Sequence, residues 1–99
     1  MTLDDLHARL THLPGIETRK ALQSMGLMIG GKLFAFIRDG HLILKLPATQ
    51  IDILIAAHDA VRFDGNRDKP MKEWIVMPPS SEHIWPGLAE DAYSFVSGK

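Results

Sequence analysis

The 99-residue chain contains no cysteine. That excludes disulfides, thiolate metal sites and cysteine nucleophiles, and it fits a reducing compartment. An excess of either charge is also missing: eleven Lys and Arg stand against twelve Asp and Glu, for a formal net charge of -1. No bulk field therefore draws in nucleic acid or an anionic membrane, and tight DNA binding would need a local basic patch. The longest apolar runs are broken by charge well before the roughly 18 residues that a membrane span requires. The amino terminus, with Asp4 and Asp5 near the Met, does not resemble a secretory signal. A cytoplasmic protein is expected. Repeats, low-complexity tracts and long linkers are absent too, so residues 1–99 are read as one compact domain with one core.

Motifs with built-in chemistry are scarce. "DGNRD" places Asp64, Asn66 and Asp68 at the opening spacing of a calcium loop, but Lys69 stands where glycine is needed and Ile75 where the bidentate glutamate belongs. Of the five histidines, His7 and His12 lie about 140° apart around a helix. His41, His58 and His83 fall in separate elements. No glycine-rich loop follows a strand and opens a helix in the phosphate-binding pattern. Ser24, Ser80, Ser81 and the scattered acids form no recognisable catalytic spacing. The basic residues cluster at Arg19-Lys20 and at Arg62, Arg67, Lys69 and Lys72, the second group diluted by Asp59, Asp64, Asp68 and Glu73. An enzyme, a metal site and a cofactor are not expected.

Elements are more legible than chemistry. Leu3, Leu6, Leu10 and Leu13 recur at helical spacing behind Thr2 as a cap, with Asp4 and Asp5 in the first turn and Pro14-Gly15 as the stop. The segment "TRKALQSMGLMI" is ambiguous in period. Its second half is expected to pair across Gly30-Gly31 with the strand that follows. Asp39-Gly40 is a stronger turn signal, because a two-residue type I′ turn needs positive φ at both positions. "PATQIDILIAAH" reads as a helix with Ile51, Leu54 and Ile55 on one stripe. "AVRF" and "KEWIVM" read as a second hairpin closed by Pro78-Pro79. "PGLAEDAYSFV" reads as a last helix with Leu88, Ala92 and Phe95 on one face. The expected order is αβββαββα, an α+β fold of two layers with helices on an antiparallel sheet.

Register counted outward from the turns assigns side chains to faces. Arg38 should oppose His41, Ile37 Leu42, Phe36 Ile43, Ala35 Leu44, Phe34 Lys45 and Leu33 Leu46. Met28 should oppose Leu33, Leu27 Phe34 and Met25 Phe36. One face then carries Met28, Leu33, Ala35, Ile37, Leu42, Leu44 and Leu46 and is expected to meet the helices. The other collects Met25, Leu27, Phe34, Phe36 and Ile43, rimmed by Lys32, Arg38, His41 and Lys45. Left in water, such a patch would forgo about 1.5–3 kcal/mol per buried side chain. It is expected to be an interface, covered by a second copy, a helix of the same chain, a ligand or another protein.

From Gly31 to the carboxyl end the chain resembles the N-terminal domain of the TfoX (Sxy) family of bacterial competence regulators. The residues that carry the resemblance are "GKLFAFIRDGHLILKLP" (31–47), "VRFD" (61–64) and above all "KPMKEWIVMPP" (69–79). Within them the matching positions are Gly31, Lys32, Phe34, Pro70, Met71, Lys72, Trp74 and Pro78. "LPGIE" (13–17) resembles the related YjbR-like proteins. The resemblance implies a domain like that of secretion chaperones, with no catalytic residues and no cofactor. It departs from the family where a Met-Phe-Gly-Gly type of motif is usual and this chain has "ALQS" (21–24). The carboxyl-terminal domain of full-length TfoX proteins has no counterpart here.

The expected function is therefore a non-enzymatic interaction module of bacterial transcription or competence regulation, acting as a homodimer. Direct DNA binding of the YjbR-like type is the alternative. A small-ligand binder or enzyme would need a pocket with converging polar groups.

Overall fold

A computed structural model describes residues 1–21, 24–63 and 73–98. Its first helix, α1 (Leu3–Ala8), starts where the sequence places a cap. The Asp5 backbone N–H donates to Thr2 Oγ1 and the Thr2 N–H donates to Asp5 Oδ2, each at 3.1 Å. Two of the orphan N–H groups of the helix start are thereby satisfied reciprocally. The helix is shorter than the leucine spacing suggests. It gives way at Arg9 to tight turns in which Arg9, Leu10 and Leu13 donate to carbonyls three residues back. Leu6 and Leu10 are nevertheless both buried.

Four consecutive strands follow, one more than expected: β1 (Ile16–Ala21), β2 (Ser24–Ile29), β3 (Lys32–Arg38) and β4 (His41–Lys45). β1 eluded the sequence reading because Glu17, Thr18, Arg19 and Lys20 are all exposed, leaving no alternation to detect. Its charged side chains suit a sheet edge, where they discourage pairing with another chain. After Pro47 comes α2 (Ala48–Ala57), which buries Ile51 and Leu54. β5 (Val61–Arg62) and β6 (Trp74–Met77) form the second hairpin. Pro79–Ile84 is a 3-10 turn leading into α3 (Trp85–Ser97). The corrected order is αββββαββα, and the α+β class stands. All six strands form one antiparallel sheet in the order β1-β2-β3-β4-β6-β5.

Both glycine turns form as read. Gly30 and Gly31 have φ of 59° and 79°, and Asp39 and Gly40 have 53° and 77°, the left-handed pair a type I′ turn requires. From Asp39-Gly40 the register runs as counted for four pairs, with Arg38 opposite His41, Ile37 opposite Leu42, Phe36 opposite Ile43 and Ala35 opposite Leu44. It stops there, so the expected pairs Phe34 with Lys45 and Leu33 with Leu46 do not form. From Gly30-Gly31 it holds for one further pair, Met28 with Leu33, and then slips, so that Leu27 faces Ala35 and Gly26 faces Phe36. Phe34 is the extra residue of a β-bulge. Because side chains alternate with a period of two, a one-residue slip exchanges the faces of everything beyond it.

That exchange corrects the face assignment. Leu27 and Phe34, read as outer-face residues, are fully buried in the core with Ala35, Leu42 and Leu44. Met28 and Leu33, read as core, turn to the opposite face with Phe36. All three helices contribute to the same core, α1 through Leu6, α2 through Ile51 and Leu54, and α3 through Trp85, Leu88, Ala89, Ala92 and Tyr93. The Phe34 and Tyr93 rings meet edge to face at 6.0 Å and 81°, and Tyr93 Oη donates to the Pro14 carbonyl at 2.6 Å. Among the described residues no helix is long and apolar enough to cross a membrane.

Candidate interaction face

The sheet surface turned away from the helices is built by alternate residues of β2, β3, β4, β5 and β6: Gly26, Met28, Leu33, Phe36, Ile43, Val61, Trp74 and Val76, with Phe63 just past β5. Opposed pairs fix this set. Ile43 faces Val76, Lys45 faces Trp74 and Val61 faces Val76, while the Phe63 N–H donates to the Trp74 carbonyl at 3.0 Å.

At its centre Phe36 is packed between two further rings. Phe63 meets it at 5.9 Å and 82°, and Trp74 at 6.1 Å and 54°. Both distances lie within the range where aromatic pairs add about 0.5–1.5 kcal/mol beyond area burial. The Arg38 guanidinium carbon sits 5.3 Å from the Phe36 centroid, a cation–π contact. Phe36 and Ile43 are each only 3% exposed, whereas Val61 is 59% exposed. Phe63, Trp74 and Val76 are half-buried. The face thus has a closed aromatic centre and an open apolar border, with Arg38, His41 and Lys45 on the same side. His41 Nδ1 lies 2.9 Å from the Asp39 carbonyl.

The five residues expected to share one patch are therefore divided. Phe36 and Ile43 lie on this face, Leu27 and Phe34 lie in the core, and Met25 is on the helix side of β2 but 50% exposed. Gly31 is in its turn and Lys32 is exposed at the start of β3. Pro78 ends β6, and its carbonyl accepts both the Ser81 N–H at 3.1 Å and Ser81 Oγ at 2.9 Å. Pro70, Met71 and Lys72 lie outside the described residues, as do the failed calcium loop at Asp64, Asn66 and Asp68 and the side chain of Ser24. Phe63 was missed. The strand before it, β5, is two residues long and offers no alternation from which a face could be counted.

Some of the remaining candidates have structural partners. Buried Ser81 also lies 3.4 Å from the Trp85 indole Nε1, which donates to it. His12 Nε2 is 3.4 Å from Glu90 Oε1. Arg19 pairs with Glu17 at 2.7 Å, and Arg62 pairs with Asp52. Among the described residues no group of three or more His, Asp or Glu side chains is arranged to hold a metal. No protein-family model, curated protein or solved structure matches the chain.

Proposed function

We propose that the chain is a non-enzymatic interaction module, similar in role to the N-terminal domain of TfoX-type regulators, that works in the bacterial cytoplasm as a homodimer joined through the outer sheet face. The observation that supports the reading is the Phe36, Phe63 and Trp74 cluster on the side of the sheet opposite the core that all three helices share. Its apolar border of Met28, Leu33, Val61 and Val76 would gain most from a second copy. Each side chain taken fully out of water is worth about 1.5–3 kcal/mol before the cost of association.

Phe36 is a poor probe of this contact because it is already buried within the chain, and a charge there would attack the fold. Val61, at 59% exposure, and its partner Val76 are better ones. Sedimentation should give twice the 11.0 kDa chain mass for the wild type and the single-chain mass for a folded Val61→Glu, Val76→Glu variant. A wild type that sediments as a monomer at its highest soluble concentration would sink the dimer.

Direct nucleic-acid binding is a second reading, favoured by Arg38, His41 and Lys45 standing on the same face as half-buried Trp74. Stacking on such a ring with nearby cations is the usual chemistry of single-strand binding. Duplex and single-stranded oligonucleotides should then shift at low salt, where phosphate contacts are strongest, and Lys45→Ala should weaken the shift. Absence of any shift at low salt removes this reading.

A further inference from the structure

At the end of the sheet where β3 begins, β4 stops and β6 begins, the carboxyl-terminal end of α3 leaves a cleft of about 390 Å³. Leu33, Trp74, Phe95 and Val96 form its apolar wall, and Lys32, Lys45 and Glu73 supply its charged groups. Such a volume lies at the small end of the roughly 300–1,000 Å³ typical of ligand pockets. Lys45 stands directly opposite Trp74 across β4 and β6, so its side chain leaves the sheet on the same face as the indole. Lys32 precedes Leu33 and lies on the other flank. Among the described residues Lys32, Lys45 and Glu73 take part in no ion pair. Two cations outweigh one carboxylate and the partial negative end of α3, about half a charge, so the cleft keeps a small positive excess although the chain as a whole carries a net charge of -1.

We propose that this cleft binds a small anion with a flat apolar body, of the aromatic carboxylate class. The ring system would lie against Trp74, Phe95 and Leu33, with its carboxylate between Lys32 and Lys45. Lysines offer point charges rather than the bidentate fork of arginine, so the cleft selects for charge sign and ring shape more than for an exact anion geometry. Glu73 limits the site to ligands of low negative charge, because a second carboxylate on the ligand would approach it. The cleft shares Leu33, Lys45 and Trp74 with the outer face, so a second copy seated on that face would compete with the ligand for these side chains.

The probe is 1-naphthoate, with naphthalene-1-methanol and 1-naphthylmethylammonium as neutral and cationic controls of similar shape. Binding is followed by the indole N–H resonance of Trp74 in the intact chain. Trp85 is fully buried in the core and serves as the internal reference. Naphthoate should move the Trp74 resonance saturably with a dissociation constant of about 0.1–1 mM, as expected for so few ligand atoms. Lys32→Gln and Lys45→Gln, which keep most of the side-chain stem, should each weaken binding by roughly two- to fivefold, the range for partly exposed ion pairs. Added salt should weaken it further. The ammonium control should not bind. Equal binding of all three probes, unchanged affinity in both folded lysine variants, or no saturable shift of Trp74 would each overturn the proposal.

Discussion

Gly26 stands directly opposite Phe36 across β2 and β3, and the position a methyl group would take there is 2.4 Å from Leu33 Cδ1 and 3.6 Å from Phe36 Cβ. Leu33 occupies the space of the absent side chain, and it does so because the bulge at Phe34 turns it to the outer face. Gly26→Ala should therefore destabilise the protein. The added methyl forces the half-buried Leu33 side chain to move, because the Ala35 carbonyl oxygen at 3.4 Å closes the other side. An overpacking cost at the low end of about 1–3 kcal/mol outweighs the roughly 0.4–1 kcal/mol gained by stiffening the unfolded chain. In a Leu33→Ala background the same substitution should become neutral or stabilising. Urea unfolding of the four proteins in a double-mutant cycle measures the coupling. A coupling near zero would place Leu33 elsewhere.

The bulge also marks where the sequence stopped being readable. Asp39-Gly40 and Gly30-Gly31 carry their turn type in their composition, so both hairpins and the β3-β4 register from Arg38 back to Ala35 could be counted in advance. Nothing in "KLFAFIR" announces an extra residue, since Phe34 is neither glycine nor proline and fits either face. What decides the register is tertiary: Phe34 meets Tyr93 of α3, a residue 59 positions further along the chain, and Leu27 and Ala35 close the same core. β1 was hidden for the opposite reason, since an edge strand lined with Glu17, Thr18, Arg19 and Lys20 has too little apolar content to show a period. Of the outer aromatic cluster, Phe36 and Trp74 were singled out from the sequence, and Phe63 was not.

A sharp contrast is expected two residues apart on β2. Leu27 is fully buried while Met25 is 50% exposed, although both point to the helix side. Leu27→Ala should cost about 2–5 kcal/mol, the range for a buried leucine. Met25→Ala should stay within about 0.5 kcal/mol of the wild type. Chemical denaturation of both variants tests the corrected register directly, because the unbulged count predicts similar surroundings for the two side chains.

Tyr93 ties α3 to the loop after α1. Its hydroxyl donates to the Pro14 carbonyl at 2.6 Å, and its ring packs against Phe34. Removing only the hydroxyl, in Tyr93→Phe, should cost about 0.5–1.5 kcal/mol, the net worth of one hydrogen bond. Tyr93→Ala also deletes the ring and should cost several times more, approaching the roughly 3–5 kcal/mol of a large aromatic truncation. Thermal melts of the two variants separate the parts. A Tyr93→Phe variant as stable as the wild type would show that water replaces the hydroxyl at Pro14 without loss.

At the start of α1 the acidity of one carboxyl departs from its ordinary value. Hydrogen bonds from the Thr2 backbone N–H and then from the Thr2 hydroxyl hold the Asp5 carboxyl below the usual aspartate range, with smaller help from the amino terminus and Arg9. The charged form is the one that closes the capping box, so the folded state binds this proton less readily than the unfolded chain does. The Asp5 contribution to stability is therefore fully present above the unfolded-state pKa and is lost as pH falls through the lower folded-state value. At neutral pH, Asp5→Asn should fray the first turn of α1, and the difference from the wild type should shrink on acidification below the ordinary aspartate pKa. A carbon-detected titration of the Asp5 carboxyl, with amide exchange of residues 3–6 followed in parallel, checks both halves. A midpoint at or above the unfolded aspartate value, or fraying that does not change with pH, would show that Asp5 does not cap the helix through its charge.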